Sequence, residues 1–510
     1  MKRLPAGRSP AGAAAPGPFT NIQILRFVAA LCVVIHHVSA YLEMLRGIPR
    51  LFPAFDGILG AFGVAIFFAI SGFLMAGLLG RTAPATFLAH RVARIVPAYL
   101  AVTLLFAGLF AVLKLGFSLN VLALTLAPTG PRSYPLGVEW TLVFELSFYV
   151  ALFLLALAGG AAHLVAVAAG WLVVLFAAWC ALPPASVAGA QPPVLLVFVS
   201  SACAPFAGGL LLPRLLARHR LPRTALLLVP PLVLASVAVS VPTARWLCGL
   251  AALLLVGVAV QRRQAGGANP PMRTVLRFGD WSYVLYLAHV PVIFVVLRFA
   301  PQGWSGGTLW AACLAAVLAA TALLGPWDLR GYRLMRRAID RAPRRRVAGL
   351  VAAYLAMFLG SAGIGSVQTM TEERRLARAG ELVAGLPPGT WLSPDVASAA
   401  LDRVAAPVRA AVEGLDSVTY TEARLRGWAF DPERPDRHFV LAAFCGGHLA
   451  GMDLARRLRP DIARMEGFEA VGTRRIGFRV RIPAHACPPG APPLAVLIDP
   501  DDGTILLPAS

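Results

Sequence analysis

Apolar segments of about 20 residues recur along the chain as far as about residue 367, and a helix of that length crosses the hydrocarbon core of a bilayer. These segments lie near 22–42, 57–79, 95–115, 138–158, 160–181, 194–212, 224–241, 245–260, 281–300, 308–326 and 347–367. Only a few residues separate the fourth segment from the fifth and the seventh from the eighth. The pattern therefore predicts an all-α polytopic membrane bundle of 10–11 transmembrane helices.

The pattern changes after residue 367, where charged and β-like segments replace the long apolar ones. Met370–Gly385 has the character of an amphipathic helix, and short apolar runs typical of strands follow it. These runs are Val418–Phe430, His438–Cys445, Ile476–Ile482 and Ala495–Leu507, with a turn signal at Gly446-Gly447. We expect a small β-sandwich-like soluble domain at this end of the chain.

These changes in pattern divide the chain into five segments. We predict a basic cytoplasmic N-terminus (1–20), a transmembrane domain (21–330), a basic cytoplasmic loop with an extra transmembrane helix (331–370), a helical linker (371–416) and an extracytoplasmic β-rich domain (417–510).

The charge distribution supports a membrane protein and predicts its orientation. The 510 residues are 58% hydrophobic and 14% charged, whereas about a quarter of a soluble domain is charged. The formal net charge of +21 is carried by short basic runs between apolar segments. About 22 positive residues lie on one alternating set of loops and about six on the other, which places the N-terminus in the cytoplasm. Basic patches interleaved with aromatic stacking platforms are absent, so the sequence does not indicate nucleic-acid binding.

Cysteine spacing argues against a thiolate metal site. Five of the seven cysteines lie in or beside apolar segments, and none forms a C-x-x-C pair. Cys445 and Cys487 lie in the C-terminal domain, where they can form one disulfide if that domain lies outside the cytoplasm. We therefore predict no metal ligands.

The first apolar segment carries ionisable residues, which are costly inside a membrane and are functional candidates for that reason. Arg26 and His37 are eleven residues apart, so on a helix they return to within about 20° of the same face, roughly 16 Å apart along the axis. His36 points elsewhere. One face of this helix thus combines a fixed cation with a titratable imidazole.

The fourth apolar segment adds a carboxylate, Glu145, together with Trp140 and Tyr149. Glu145 lies roughly 10 Å from the outer end of its segment and His37 roughly 8 Å from the outer end of its own. A carboxylate at that depth can orient the imidazole and raise its basicity, as proton abstraction from a hydroxyl requires. The alternative is a structural pair that joins two helices.

Two further sets of polar residues each have two interpretations. Arg91 and Arg94 share a helix face, where they can hold the phosphates of a cytosolic donor or anchor the topology. Tyr286 and His289 lie one turn apart, where they can line a cavity or cross-link helices. Asp280, just before them, has the character of an N-cap.

Taken together, these motifs resemble the acyltransferase-3 family of integral membrane O-acyltransferases, in its bacterial branch that modifies exopolysaccharide or lipopolysaccharide. The resemblance covers about residues 20–330. It is carried, in chain order, by Arg26 with His37, F-F-A-I-S-G-F at 67–73, H-R-V-A-R-I-V-P-A-Y at 90–99, W-T-L-V-F-E-L-S-F-Y at 140–149 and D-W-S-Y-V-L-Y-L-A-H at 280–289. The C-terminal domain is similar to a small β-sandwich module appended to bacterial glycan-modifying transferases, through R-G-W-A-F-D-P at 426–432, R-P-D-I-A at 459–463 and G-F-R-V-R-I-P at 477–483.

The resemblance implies an O-acyltransferase of the bacterial inner membrane. It would move an acyl group, commonly acetyl, from cytoplasmic acyl-CoA to a hydroxyl of an extracytoplasmic glycan or lipid-linked saccharide, and it would hold no cofactor. The implied catalytic residues are His37 as general base or nucleophile, Glu145 and Arg26. The implied substrate-binding residues are Arg91, Arg94, Trp140, Tyr149, Tyr286, His289 and Ser71. Membrane lipid is the other expected partner.

Two other classes fit the buried ionisable residues. A transporter or flippase would use them as a proton or substrate path, but such proteins often contain internal repeats, and the sequence shows none. A glycan sensor with an inactive acyltransferase core would not need intact Arg26, His37 and Glu145.

Overall fold

Long apolar helices make up most of the part of the chain that the structure describes. In this computed structural model the described residues are 20–50, 53–115, 117, 119–130, 134–182, 187, 194–262, 270–384, 408–418, 422–445, 448–459, 462, 471, 475–483 and 494–506. They belong to two units, Met1–Ser366 and Val367–Ser510.

Helices account for nearly all of the described part of the first unit, and the last of them continues into the second unit. They are α1 (Thr20–Arg46), α2 (Pro53–Leu78), α3 (Pro84–Val112), α4 (Val121–Leu124), α5 (Trp140–Leu157), α6 (Leu164–Ala181), α7 (Val194–Val197), α8 (Ala204–Arg218), α9 (Val229–Ala235), α10 (Val241–Val260), α11 (Pro270–Asp280), α12 (Ser282–Phe299), α13 (Gly306–Arg341) and α14 (Arg344–Ala384). Short 3-10 helices lie at Gly160–His163, Ser201–Cys203, Arg223–Leu228 and Ser236–Ala238. Among the described residues, nine helical segments are long and apolar enough to cross a membrane, which confirms the predicted class of fold.

Two of the predicted spans are interrupted instead of continuous. The segment predicted at 194–212 contains α7, a 3-10 helix and the start of α8, and the segment predicted at 224–241 contains two 3-10 helices on either side of α9. Prolines occupy the first turns of both α8 and α9. Proline has no N–H to donate, so it suits a helix start and ends the helix that precedes it.

The basic segment that the sequence analysis interpreted as a loop is mostly helical. Helix α13 continues past the apolar stretch to Arg341, and α14 begins at Arg344 after a break of two residues. The amphipathic helix predicted at Met370–Gly385 is the last part of α14, which ends at Ala384. The structure therefore replaces one loop and one separate helix with extensions of two long helices.

Close helix packing at the centre of the first unit depends on small residues. A Cβ atom on Gly72 of α2 would lie 2.2 Å from the carbonyl oxygen of Phe206 on α8. A Cβ atom on Gly63 would lie 2.5 Å from the carbonyl oxygen of Ala29 on α1. Small residues allow helix backbones in a membrane to approach this closely. Helix α2 consequently packs against α1, α8 and α10.

The prediction that Asp280 is an N-cap is wrong. Asp280 is the last residue of α11, and Trp281 is the residue that precedes the first turn of α12. Trp281 makes no side-chain capping hydrogen bond. Because α11 and α12 meet at this position almost without a break, the backbone leaves no extended residue for a cap.

The second unit contains two four-stranded antiparallel sheets. Its strands are β1 (Arg409–Val418), β2 (Glu422–Phe430), β3 (Val440–Cys445), β4 (His448–Leu454), β5 (Arg457–Leu458), β6 (Arg475–Pro483), β7 (Leu494–Asp499) and β8 (Thr504–Leu506). The strand orders are β1-β2-β6-β5 and β4-β3-β7-β8. The predicted turn at Gly446-Gly447 lies outside the described residues, but the strands on either side of it pair as expected.

Two hydrophobic clusters explain how these sheets are held. One joins the sheets and includes Leu425 and Phe478 from the first and Leu441 and Leu497 from the second. The other joins the opposite face of the second sheet to the end of α14, through residues that include Val383. Strand β3 is buried at all six positions because both of its faces are covered.

The second unit contains an ionic cluster around Arg437. Arg437 forms ion pairs with Asp431 at 3.0 Å, Asp502 at 3.0 Å and Asp499. The buried carboxylate of Asp431 also accepts backbone hydrogen bonds that fold the turn after β2. In the same unit Cys445 is disulfide-bonded, while Cys487, its predicted partner, lies outside the described residues.

Candidate active site

A cavity of about 240 Å³ lies among α1, α2, α3, α5, α12 and α13. Arg26, Arg91 and Arg94 line it, and we call it the arginine cavity. These residues come from the N-terminal parts of α1 and α3, so the cavity lies toward the N-terminal end of α1. Apolar side chains of α2 complete much of its wall.

Two of the three arginines, Arg94 and Arg91, differ in how far their charges are already compensated. Arg94 donates to both carboxylate oxygens of Asp328, at 3.0 and 2.8 Å, and this ion pair is largely buried. The Arg94 guanidinium also lies over the rings of Tyr283 and Tyr332. Arg91 has a buried Nε without a hydrogen-bond partner among the described residues. Arg91 therefore retains more capacity to bind an anion than Arg94 does.

Glu145 belongs to a hydrogen-bonded triplet in the same cavity. The Tyr149 hydroxyl, one helical turn further on, donates to the Glu145 carboxylate. Ser71 Oγ lies 2.9 Å from the Tyr149 oxygen and 3.4 Å from Glu145 Oε1. Arg26 also interacts electrostatically with Glu145. The triplet thus links α2 to α5 beside the arginines.

A second cavity, of about 420 Å³, lies toward the C-terminal half of α1. His36 and His37 line it, together with residues from the N-terminal ends of α2, α5 and α10, among them Trp140 and Arg245. We call it the histidine cavity. Apart from its histidines and Arg245, its walls are largely apolar.

Hydrogen bonds determine which nitrogen of each imidazole carries the proton. His289 Nδ1 lies 2.8 Å from the Tyr286 carbonyl oxygen, so in neutral His289 this nitrogen is protonated and Nε2 is an acceptor. His37 Nδ1 lies 2.9 Å from the Val33 carbonyl oxygen and 3.2 Å from His289 Nε2. Both partners accept, so His37 Nδ1 carries the proton. The lone pair of neutral His37 is therefore on Nε2, in a ring that lines the cavity.

Val64, Phe68 and Tyr286 line both cavities, and we call them the shared wall. The Tyr286 hydroxyl is held 2.6 Å from Thr141 Oγ1 and 3.1 Å from the Val138 carbonyl oxygen. The rings of Phe67 and Tyr286 pack in a T-shaped arrangement, with their centroids 6.0 Å apart. A cationic cavity and an imidazole cavity consequently adjoin in the interior of the bundle.

The structure brings the predicted site residues together in two groups. Arg26, Ser71, Arg91, Arg94, Glu145 and Tyr149 line the arginine cavity, His37 and Trp140 line the histidine cavity, and Tyr286 lines both. His289 is fully buried behind His37. The predicted pairing of Glu145 with His37 is wrong. Glu145 hydrogen bonds to Tyr149 and Ser71, and the partner of His37 is His289 instead of a carboxylate.

Asp328 and Arg245 are residues of these cavities and their supports that sequence patterns do not indicate. Asp328 follows the apolar stretch of α13, and its partner Arg94 lies 234 residues earlier, so no local spacing connects them. Arg245 follows a short break between two apolar segments, where an arginine is ordinarily interpreted as a topology residue. The one sequence signal for Arg245 is that it lies beside an apolar span and has no acidic residue near it in the chain.

These features define a multi-pass membrane protein with adjoining buried sites for charged and titratable chemistry. The acyltransferase domain family, acyltransferase-3, matches residues 19–325, and the chain belongs to this family of acyltransferases. The chain is also similar to the exopolysaccharide production protein ExoZ of Rhizobium meliloti (strain 1021), at 30% identity over 319 residues, which is 57% of this chain and 94% of that protein. No solved structure matches the chain significantly.

Proposed function

We propose that this acyltransferase moves an acetyl group from cytoplasmic acetyl-CoA to a hydroxyl of an exopolysaccharide or its lipid-linked precursor. The polysaccharide acceptor is supported by the name of the similar Rhizobium meliloti protein. The observation that carries the proposal is the contact of the arginine and histidine cavities at the shared wall. A donor and an acceptor can then reach one reaction point from opposite ends of α1.

The arginine cavity is the donor site in this proposal. CoA carries phosphates, and guanidinium groups bind phosphates well, so Arg91 and Arg26 attract the donor. The Arg94–Asp328 ion pair holds α3 against α13 and shapes the site without contributing a free charge. The thioester end of the donor extends toward Tyr286 and Phe68.

His37 is the general base. Its Nε2 takes the proton from the acceptor hydroxyl, and the hydroxyl oxygen attacks the thioester carbonyl carbon. The carbon–sulfur bond breaks, and the CoA thiolate leaves with the proton that His37 returns. His289 is a positioning residue, because its Nε2 accepts from His37 Nδ1 and holds the ring in the reactive tautomer.

The proposed orientation places the N-terminus in the cytoplasm of a bacterial cell and the protein in its inner membrane. The excess of basic residues on one set of loops supports this orientation. The arginine cavity, near the N-terminal end of α1, then faces the cytoplasm, where acyl-CoA is made. The histidine cavity faces the other side, and the β-rich domain is extracytoplasmic.

The test uses membrane vesicles that contain the full chain and expose its N-terminal side. Labelled acetyl-CoA is added outside, and ester-linked label is measured in exopolysaccharide precursors of the host. We expect His37→Ala to lower transfer by about 10²–10⁴-fold, the usual contribution of a general base. His163→Ala, at an exposed histidine outside both cavities, is the control.

Two outcomes contradict the proposal. If wild-type protein transfers no label from acetyl-CoA or another short-chain acyl-CoA, the acyl-CoA reaction is refuted. If transfer survives His37→Ala at equal protein level, His37 is not the base, and Glu145 becomes the next candidate.

A further inference from the structure

Arg245 lies in the histidine cavity and has no role in the mechanism above. It is on the second turn of α10, and its guanidinium carbon lies 5.8 Å from the centroid of the Trp140 ring on α5. Trp140 and His37 line the same cavity. The cation is thus held against an aromatic surface in the cavity that contains the general base.

The charge of Arg245 is not compensated within the described residues. Arg245 is half-buried, its Nη1 is buried without a hydrogen-bond partner there, and no carboxylate among the described residues forms an ion pair with it. Leaving a buried charge unpaired is costly, so folded proteins normally pair it. Arginines with structural roles in the same unit are paired: Arg94 binds Asp328, and Arg46 donates to the carbonyl oxygens of Leu297 and Ala300.

The helix that carries Arg245 adds to the positive potential. Helix α10 begins four residues earlier, and its first turn contains no acidic residue. The N-terminal end of a helix carries a partial positive charge, which acids in the first turn usually offset. Here a guanidinium occupies that region, so the helix end and the side chain both favour an anion in the cavity.

We propose that Arg245 binds an oxyanion of the acceptor: a sugar carboxylate or a phosphate of a lipid-linked saccharide. The identity of this ligand as the acceptor rests on the proposed function. A guanidinium can donate two parallel hydrogen bonds to either group, and the Trp140 ring offers a flat surface for the apolar face of a sugar. Binding the anion at Arg245 keeps the acceptor in the cavity that contains His37.

The arrangement favours the acceptor over the donor as the source of the anion. The arginine cavity already offers Arg26 and Arg91 for the phosphates of CoA, and it lies on the other side of the shared wall. Arg245 lines only the histidine cavity of these two. It therefore selects acceptors by charge, independently of the donor.

The first experiment measures binding without turnover. The full chain in detergent is unfolded by heat with sodium glucuronate, inorganic diphosphate or glucose, at matched ionic strength. We expect glucuronate to raise the Tm of wild type and to have no effect on Arg245→Gln. Diphosphate can also bind in the arginine cavity, so it should raise the Tm of wild type more than that of Arg245→Gln. Arg50→Gln is the matched control, because Arg50 is paired with Glu43 at 2.8 Å and lies outside the cavity.

The probes distinguish the two sources of the anion. If Arg245→Gln loses only the stabilisation by glucuronate, the anion is a sugar carboxylate. If it loses stabilisation by diphosphate, the anion is the phosphate of a lipid-linked acceptor. The proposal is overturned if neither anion raises the Tm of wild type. It is also overturned if the anions raise the Tm of Arg245→Gln as much as that of wild type.

The second experiment measures transfer kinetics. Arg245→Gln should raise the KM for the acceptor about tenfold or more and leave the KM for acetyl-CoA unchanged, because the lost hydrogen bonds are to a charged group. Arg245→Lys keeps the charge but not the paired donors, so its acceptor KM should be intermediate. An unchanged acceptor KM overturns the assignment. If wild type transfers no acetyl group, the proposed function fails, but the Tm measurements still decide whether Arg245 binds an anion.

Discussion

His289 offers the sharpest test of how the imidazole pair works. In His289→Ala, His37 Nδ1 loses the acceptor at 3.2 Å and keeps the Val33 carbonyl oxygen at 2.9 Å. A hydrogen bond to a charged group contributes about 1.5–3 kcal/mol, and His37 is charged only while it holds the substrate proton. Because Val33 still accepts from Nδ1, the lower end applies. This corresponds to a loss of about tenfold to thirtyfold in kcat.

The assay is acetyl transfer by the full chain in proteoliposomes, with kcat and KM measured separately. The KM for acetyl-CoA should not change, because His289 does not line the arginine cavity. His289→Gln supplies a neutral acceptor near the same place and should recover part of the lost kcat. Measuring the Tm of both variants controls for the void left by a fully buried side chain.

Two results would refute this reasoning. A wild-type kcat in a stable His289→Ala protein would show that the contact with His37 does not assist proton transfer. Equal kcat values for the Gln and Ala variants, at equal Tm, would show that packing and not hydrogen-bond acceptance accounts for the loss.

Three predictions concern stability. Asp328→Ala leaves Arg94 buried and unpaired and should cost about 3–5 kcal/mol, whereas replacing both residues by Leu should recover most of that loss; denaturant unfolding in detergent measures both. Gly72→Ala places a Cβ against backbone and should cost about 1–3 kcal/mol, while Gly77→Ala, which meets open space on the same helix, should leave the Tm unchanged or raise it. Burial alone would raise the pKa of Asp431, but hydrogen bonds from the following turn and the ion pair with Arg437 outweigh burial and lower the pKa. The ionised carboxylate therefore stabilises the fold above its unfolded-state pKa, and this stabilisation is lost as pH falls through the lower folded-state pKa. Hydrogen exchange of the second unit in the full chain should therefore speed up on acidification below about pH 4, and Asp431→Asn should flatten this dependence.

The sequence was sufficient for the features that depend on local periodicity. Hydropathy located the long spans. Helical spacing predicted one face for Arg26 and His37, and the two residues line the arginine cavity and the histidine cavity respectively. Short apolar runs predicted the position of β2, β3, β6 and β7 to within a few residues, apart from the start of β2. Each of these inferences uses information within one segment, and that is where a single sequence is most informative.

The errors arose where the direction of a side chain depends on a distant partner. Depth along a span suggested that Glu145 meets His37, but depth does not determine the rotation of a helix about its axis. The rotation of α5 is determined by contacts with α2, where Ser71 lies. The burial of β3 on both faces likewise depends on a distant partner, because the end of α14 covers one face of its sheet.

The shared wall also has an electrical consequence. Val64 and Phe68 are apolar, so much of the potential across a cell membrane should fall over this thin barrier. One elementary charge that crosses 100 mV exchanges about 2.3 kcal/mol with the field. In the proposed reaction CoA keeps its phosphates on one side, and the acetyl group that passes Tyr286 is exchanged for the proton that His37 returns to CoA, so no net charge crosses the wall. Acetyl transfer should therefore proceed at the same rate in energised and de-energised vesicles, without drawing on the proton gradient.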